Sequence, residues 1–313
     1  MTLPLPQIPD KFVVLVVGPT AVGKTDLCIR LAKEFATEII SADSRQFFQE
    51  MTIGTAKPSI EERQGIVHHL IDSHSITQSY HAAAFEKDAL AIAEEIFRKK
   101  DVVILTGGSG LYIKTFCEGL DEIPDTDPAI REALTTQYQQ DGLEPLLTQL
   151  DTLDPLYAQQ VDRANPQRVI RALEVSLSTG QPYSSFRKQN KIIRPFHLVK
   201  IGLTRNREEL YNRIDARMDA MLANGLVEEA KHLLPYKEHN ALQTVGYTEV
   251  FDYLAGTYDY AEMVRLLKRN SRRYAKRQLT WFSKDPQIHW FHPEAYIQIV
   301  AYIRSQLEQT KHR

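Results

Sequence analysis

The sequence predicts an α/β fold, a P-loop NTPase-like parallel sheet flanked by helices with a mostly helical insertion domain, and three observations predict it. Short apolar runs alternate with helical stretches, the order that sets helices on the faces of a parallel sheet. Between the first run and the first helix lies Gly18-Pro19-Thr20-Ala21-Val22-Gly23-Lys24-Thr25, which fits G-x-x-x-x-G-K-[ST]. Further on, the polar, proline-marked stretch Asp121-Glu122-Ile123-Pro124-Asp125-Thr126-Asp127-Pro128 interrupts the alternation and opens a polar helical segment.

Taken in order, Phe12–Val17 is an unbroken apolar run and reads as a buried strand. Residues 26–35 read as the helix after the P-loop, and 38–41 as a strand ending near Asp43. A helix over 82–99 leads into a strand over 102–106, whose Val103-Ile104-Leu105 core is β-branched and aliphatic. Residues 124–194 form the helical insertion, and Pro195-Phe196-His197 returns the chain to a strand over 197–203. A helix over 206–223 follows, and helices dominate to Arg313 with room for one short strand over 288–291. The division is therefore a P-loop core of 1–123 and 195–313, its C-terminal part helical, with 124–194 inserted.

At 313 residues, with 43% hydrophobic and 25% charged residues, the composition is that of a globular chain. Neither a leader-like start over residues 1–10 nor a membrane-spanning apolar stretch is found, which predicts a cytoplasmic protein that meets no membrane. Cys28 and Cys117 sit in apolar helical contexts and read as reduced core thiols. A net charge of −2 argues against a uniformly basic nucleic-acid binder. The cations are instead clustered, at Arg163/Arg168/Arg171, Arg187/Lys188/Lys191 and Arg205/Arg207/Arg213/Arg217. The densest group is Arg265, Lys268, Arg269, Arg272, Arg273, Lys276 and Arg277, seven cations without an acid. Arg265, Arg269, Arg272 and Lys276 recur at helical spacing and predict a cationic stripe, either an RNA-binding face or a solvated one, with the bias in sign favouring RNA. Trp281 and Phe282 read as core anchors rather than stacking platforms.

Ligands of parallel sheets sit beyond the C-terminal strand ends, which singles out 18–25, 42–46 and 107–111. The P-loop predicts a polyphosphate held by converging backbone N–H groups, with Lys24 as a point charge and the Thr25 hydroxyl on Mg²⁺. Asp43 either caps a loop or acts chemically, and its place at the switch between neighbouring strands favours chemistry. The strand that usually carries a second, metal-binding acid ends Thr106-Gly107-Gly108-Ser109-Gly110 with none, and Asp101 lies at the wrong end. His68, His69, His74 and His81 lack the spacing of a helical zinc site.

These residues resemble those of the tRNA dimethylallyltransferases, also called tRNA isopentenyltransferases or the IPP transferase family. The likeness runs through 18–25, Ser41-Ala42-Asp43-Ser44-Arg45-Gln46, Ile53-Gly54-Thr55-Ala56-Lys57-Pro58 and His68-His69-Leu70-Ile71-Asp72. It continues through Gly107-Gly108-Ser109-Gly110-Leu111-Tyr112, 165–174, Val245-Gly246-Tyr247 and 276–282, nearly the whole chain in order. Arg45, Phe48 and Ser109 depart from residues common in the family, and Ser109 keeps the hydroxyl. No zinc-finger extension follows, as a bacterial-type member implies.

The resemblance implies transfer of a dimethylallyl group from dimethylallyl diphosphate to N6 of the adenine 3′-adjacent to the anticodon, in tRNAs reading codons that begin with U. Asp43 would be general base, with Lys24, Ser109 and Arg131 as further catalytic groups and Thr25 the protein ligand of Mg²⁺; on the residues alone, Arg131 reads equally as a solvated helix charge. Contacts to the tRNA anticodon stem-loop would come from Asp43, Ser44, Arg45, Gln46, Ser109, Arg131, Gln167, Arg168, Val169, Ile170, Arg171, Gln243, Thr244, Val245, Gly246 and Tyr247. The protein would act as a monomer. Two other readings stay open: a small-molecule kinase binding ATP in the P-loop, and a prenyltransferase acting on free adenine nucleotides.

Overall fold

The computed structural model describes residues 10–187 and 192–311. Residues 1–9, read above for a leader, and Lys188 and Lys191 of one basic cluster lie outside the described residues. The chain divides into two compact units, Met1–Glu118 with Ile193–Arg313, and Gly119–Ile192.

In the larger unit the elements run β1 (Phe12–Val17), α1 (Lys24–Glu34), β2 (Ile39–Ser41), β3 (His68–His69), α2 (Ala82–Phe97), β4 (Val102–Gly107) and α3 (Gly110–Glu118). The smaller unit contributes α4 (Pro128–Asp141), α5 (Glu144–Leu153), α6 (Pro155–Ala158), α7 (Pro166–Thr179) and α8 (Tyr183–Phe186). The larger unit then resumes with β5 (His197–Leu203), α9 (Arg207–Ala223), α10 (Leu226–Leu233), α11 (Tyr247–Leu254), α12 (Tyr260–Phe282), β6 (His289–Phe291) and α13 (Tyr296–Lys311). Among the described residues the sheet has six strands in the order β3-β2-β4-β1-β5-β6, every pair parallel.

All six residues of β1 are buried, as a central strand covered on both faces requires. Its side chains alternate between two cores. Phe12, Val14 and Val16 join Leu27 and Leu31 of α1 with Leu210 and Ile214 of α9; Val13, Leu15 and Val17 join Phe85 and Ala89 of α2 with Phe116 of α3. A third core unites Phe48 and Met51 with Met218, Leu226, Tyr247, Val250, Met263 and Leu267, fastening the ends of α9 to α12 under the loop after β2. The smaller unit has a core of its own, built on Leu146, Leu150, Val169, Ile170 and Leu173. Cys28 and Cys117 are buried and free, and burial pushes both thiols up to about 12, where they are inert.

The parallel sheet between helices is the expected fold class. Three details differ from expectation. Helix α1 starts at Lys24 rather than 26, because Gly23 at φ 112 turns the P-loop straight into the first helical turn. β3 is two residues long, too short for any periodicity to reveal. Trp281 is 41% exposed and is not a core anchor, whereas its neighbour Phe282 is buried.

Candidate functional site

The eight residues after β1 wrap into a phosphate loop with glycines where the backbone demands them. Gly18 has φ 147, and a Cβ there would stand 2.7 Å from the Leu203 carbonyl oxygen. Lys24 Nζ donates to the carbonyls of Gly18 (2.9 Å) and Pro19 (2.8 Å), so its ammonium lies across the loop. Burial pulls its pKa down to about 8; the nearby Asp43 carboxylate opposes this and the Arg217 guanidinium reinforces it.

Side chains from distant helices hold the loop. Gln278 of α12 accepts from Thr20 N (2.8 Å) and donates to the Gly108 carbonyl (3.0 Å), joining the loop after β1 to the loop after β4. From the α9 side, Arg217 Nη1 donates to Thr20 Oγ1 (3.2 Å), Arg213 Nε to the Ala21 carbonyl (2.9 Å) and Arg205 Nε to the Val22 carbonyl (2.9 Å). The sequence marks these arginines as a basic cluster suited to a polyanion; what it does not show is that they turn onto the P-loop. Gln278 falls within the 276–282 stretch of the family likeness, which assigns it no role, and Tyr274 carries no sequence signal at all.

Asp43 follows β2, whose extension is set by the bond from Ala42 N to the Thr106 carbonyl (2.7 Å). Asp43 Oδ1 accepts from Arg45 N (3.0 Å), a local turn bond, while Oδ2 accepts no hydrogen bond among the described residues. The carboxylate thus both shapes its turn and keeps an oxygen open. Ser109 Oγ accepts from Ser44 N (2.8 Å) and donates to Ser44 Oγ (3.0 Å), fixing the β4–α3 turn beside Asp43. Arg45 and Tyr274 face the same carboxylate, and burial raises the Tyr274 phenol to about 12, so it stays a neutral donor.

P-loop residues Thr20–Thr25, Asp43, Arg45, Gln46 and Tyr274 line one cavity of about 810 Å³ with residues 52–58 and part of α9. Lys24, Arg45, Lys57, Arg213 and Arg217 bring five cations to its wall against Asp26, Asp43 and Glu62, a balance that favours an anionic ligand. The 52–54 turn is tied from outside. Glu229 accepts from Thr52 N (3.0 Å), Ile53 N (2.7 Å), Gly54 N (2.9 Å) and the Tyr247 hydroxyl (2.6 Å). Gln46 Nε2 donates to the Thr55 and Ala56 carbonyls, at 3.2 and 3.3 Å.

Gly18, Pro19, Thr20, Ala21, Val22, Gly23, Lys24, Thr25, Asp43, Ser44, Arg45, Gln46 and Ser109 are therefore gathered at the ends of β1, β2 and β4. Thr244 and Val245 also line the cavity; Gln243 is exposed, Gly246 caps α11, and Tyr247 is fully buried with its ring over Gly54. That burial removes the Tyr247 ring from stacking on a base. Arg131, Gln167, Arg168, Val169, Ile170 and Arg171 lie in the smaller unit. There Arg131 and Arg171 both pair with the buried Glu174, at 2.9 and 3.1 Å, and Arg131 also reaches Gln167 (3.4 Å). Arg168 is exposed, but Val169 and Ile170 are core residues whose side chains have no surface to offer RNA.

On α12 the expected stripe is partly neutralised. Arg265 forks onto Glu262, Lys268 pairs with Asp219 and Arg272 with Asp215. Among the described residues Arg269, Arg273, Lys276 and Arg277 meet no carboxylate, so the uncompensated cations follow Arg269, Arg273 and Lys276 rather than Arg265, Arg269, Arg272 and Lys276. The four flagged histidines are spent locally: His68 on the Ile66 carbonyl, His69 on Glu38, His74 against Tyr80, and His81 capping α2. Among the described residues Glu209, His292 and Glu294 lie close enough to hold a cation, but the Arg205 guanidinium already reaches all three. For Mg²⁺ the fit is at Thr25, exposed on the first turn of α1 with its hydroxyl, a hard oxygen donor, on the cavity wall.

Fold and site together define a P-loop α/β protein in which a phosphate loop and an open carboxylate share one cationic cavity. More particularly, the chain belongs to the IPP transferase family, whose model matches residues 46–285. It is 52% identical to the tRNA dimethylallyltransferase of Cytophaga hutchinsonii, over 96% of this chain and 99% of that one. It is similar to the crystal structure of the tRNA isopentenylpyrophosphate transferase of Bacillus halodurans, with a TM-score of 0.72 and 38% identity over 96% and 98% of the two chains. A structure of a eukaryotic dimethylallyltransferase acting on tRNA also matches, with a TM-score of 0.76 and 26% identity over 90% of this chain and 74% of that one. No helix among the described residues is long and apolar enough to cross a membrane.

Proposed function

We propose that the protein is a cytoplasmic, monomeric tRNA dimethylallyltransferase. It moves a dimethylallyl group from dimethylallyl diphosphate to N6 of the adenine 3′-adjacent to the anticodon, in tRNAs reading codons that begin with U. Family membership supports the reading. The observation that carries it is the shared cavity of Asp43 and the P-loop: a base for the amine beside a cradle for a diphosphate.

The N6 amine attacks the allylic C1, the C–O bond to the diphosphate breaks, and the amine proton passes to the open Oδ2 of Asp43. An exocyclic amine is a weak nucleophile, so removing its proton as the C–N bond forms lowers the barrier. P-loop amides, Lys24 and Arg217 stabilise the charge that grows on the leaving diphosphate. The Thr25 hydroxyl would hold Mg²⁺, which would supply further neutralisation of that charge. The Ser109–Ser44 pair fixes the Asp43 turn, so Ser109 acts on the reaction through position. To meet Asp43 the adenine leaves the loop stack, and Arg45 with Tyr274 faces it there. Gln243, Thr244 and Val245, and Arg131, Gln167, Arg168 and Arg171 of the insertion, supply further tRNA contacts; Val169 and Ile170 support that helix from its core.

The test incubates the protein with bulk unmodified tRNA, labelled dimethylallyl diphosphate and Mg²⁺, then digests the RNA. Label on N6-(dimethylallyl)adenosine supports the reading. Label only on free adenine nucleotides would transfer it to the nucleotide prenyltransferases, and phosphoryl transfer from ATP without prenylation would make it a kinase.

A further inference from the structure

Helix α12 meets the turn between β4 and α3 through two side chains that do opposite things. Gln278 points inward and is buried on Gly108, a residue of the cavity wall. Trp281, one turn further on, is 41% exposed. A Cβ on Gly110 would stand 2.2, 2.3 and 2.6 Å from Trp281 Nε1, Cδ1 and Cε2. Three contiguous ring atoms at nearly equal distance place the Gly110 backbone over the face of the pyrrole ring, not at its edge. The Gly110 backbone therefore backs the indole, and the residue still leaves 41% of its surface to solvent.

The residues around the exposed indole are cationic. Arg277 lies one turn before Trp281 and Lys284 three residues after it; both are exposed and neither meets a carboxylate among the described residues. Leu111, next to Gly110, is 50% exposed, which extends the apolar surface. Phe282, adjacent in sequence, shows that a buried position was within reach at this point of the helix. An indole backed by main chain, still 41% exposed and close in sequence to two cations that meet no carboxylate, one of them, Arg277, set over the Tyr274 ring, matches the requirements of single-stranded RNA: a flat surface for a base and positive charge for its phosphates.

We propose that Trp281 is a stacking platform for an unpaired RNA base just outside the cavity, with Arg277 and Lys284 on the flanking phosphates. This rests on the tRNA reading above. The chain has two tryptophans, Trp281 and Trp290, so in a Trp290→Phe background the emission reports Trp281 alone. An anticodon stem-loop RNA should quench that emission, and a blunt duplex RNA of equal length should not. Trp281→Ala should weaken stem-loop binding roughly 5- to 150-fold, the worth of one stacked base, and Trp281→Phe should recover part of the loss. If the alanine variant misfolds, the phenylalanine variant and the quenching decide. Stem-loop binding with unchanged emission and unchanged affinity in both variants would overturn the platform and leave the tRNA reading standing. Equal quenching by the duplex would overturn stacking of an unpaired base, and failure of the stem-loop to bind would remove both the tRNA reading and the platform.

Discussion

At Lys24, burial and the Asp43 carboxylate pull in opposite directions and burial wins, leaving an ammonium that titrates near pH 8. A diphosphate needs that ammonium charged. Its affinity should therefore hold at neutral pH and fall as the pH rises through about 8, by roughly tenfold per pH unit once the amine is neutral. The same shift has a stability sign: the unfolded lysine keeps its proton up to 10.5, so protonated Lys24 is a cost to the folded state below 8 that is relieved between 8 and 10.5. Calorimetric titration with inorganic pyrophosphate across that range checks the binding claim, with Lys24→Ala as the control that should bind weakly and without this pH step; a flat wild-type profile would refute it. At Asp43 the two oxygens separate structure from chemistry. Asp43→Asn preserves the acceptor for Arg45 N and removes only the base, so turnover should drop by about two to four orders of magnitude while tRNA affinity changes little. A near-wild-type rate would take Asp43 out of the proton transfer. Both residues are legible in the sequence because they belong to contiguous motifs. Gln278 and Arg217 also lie in stretches the sequence marks, a family motif and a basic cluster, but their contact with the P-loop is not legible, since they reach Thr20 from 258 and 197 residues away.

At the scale of the element, α12 shows how far a charge run can be read. Seven cations without an acid of their own are plain in the sequence, as is the helix that carries them. Which ones are free is not, because Asp215 and Asp219 come from α9, across 57 and 49 residues, to neutralise Arg272 and Lys268. The pairing makes a sharp division. A cation already paired releases few counterions on meeting a phosphate, and a free one releases its share. Neutralising Arg273 and Arg277 should each lower the slope of log affinity against log salt by roughly 0.7 to 0.9, whereas Arg265→Gln, whose guanidinium is forked onto Glu262, should leave the slope almost unchanged. Binding to tRNA over a salt series measures all three variants. Equal slopes for Arg273→Gln and wild type would return this face to ordinary solvated charge.

Across the whole molecule, the sheet was readable because a strand covered on both faces must be apolar without interruption, which Phe12–Val17 and residues 102–105 are. The cavity was readable only in part. Its phosphate loop and Asp43 lie where strands end, but its far wall, Thr52–Gly54, is held by Glu229 from α10 and, through it, by Tyr247 from α11, 175 residues or more along the chain. No local pattern encodes such a tie. Its energetics can be separated by mutation, because donors sheltered from water cost more when unpaired than a lost bond gains, and of the four donors Tyr247 is buried and Ile53 and Gly54 are half-buried, whereas Thr52 is exposed. Tyr247→Phe deletes one hydrogen bond and keeps the ring over Gly54, so it should cost about 1 kcal/mol. Glu229→Ala strips acceptors from three successive backbone N–H groups and the Tyr247 hydroxyl together, so its cost should exceed that of Tyr247→Phe at least threefold. The looser wall should also slow prenyl transfer more than it weakens pyrophosphate binding, since the P-loop is clamped separately by Gln278 and Arg217. Urea unfolding of the two variants, with pyrophosphate titration alongside, tests the tie: comparable losses would mean that solvent satisfies the Thr52–Gly54 amides and that Glu229 is an ordinary surface acid.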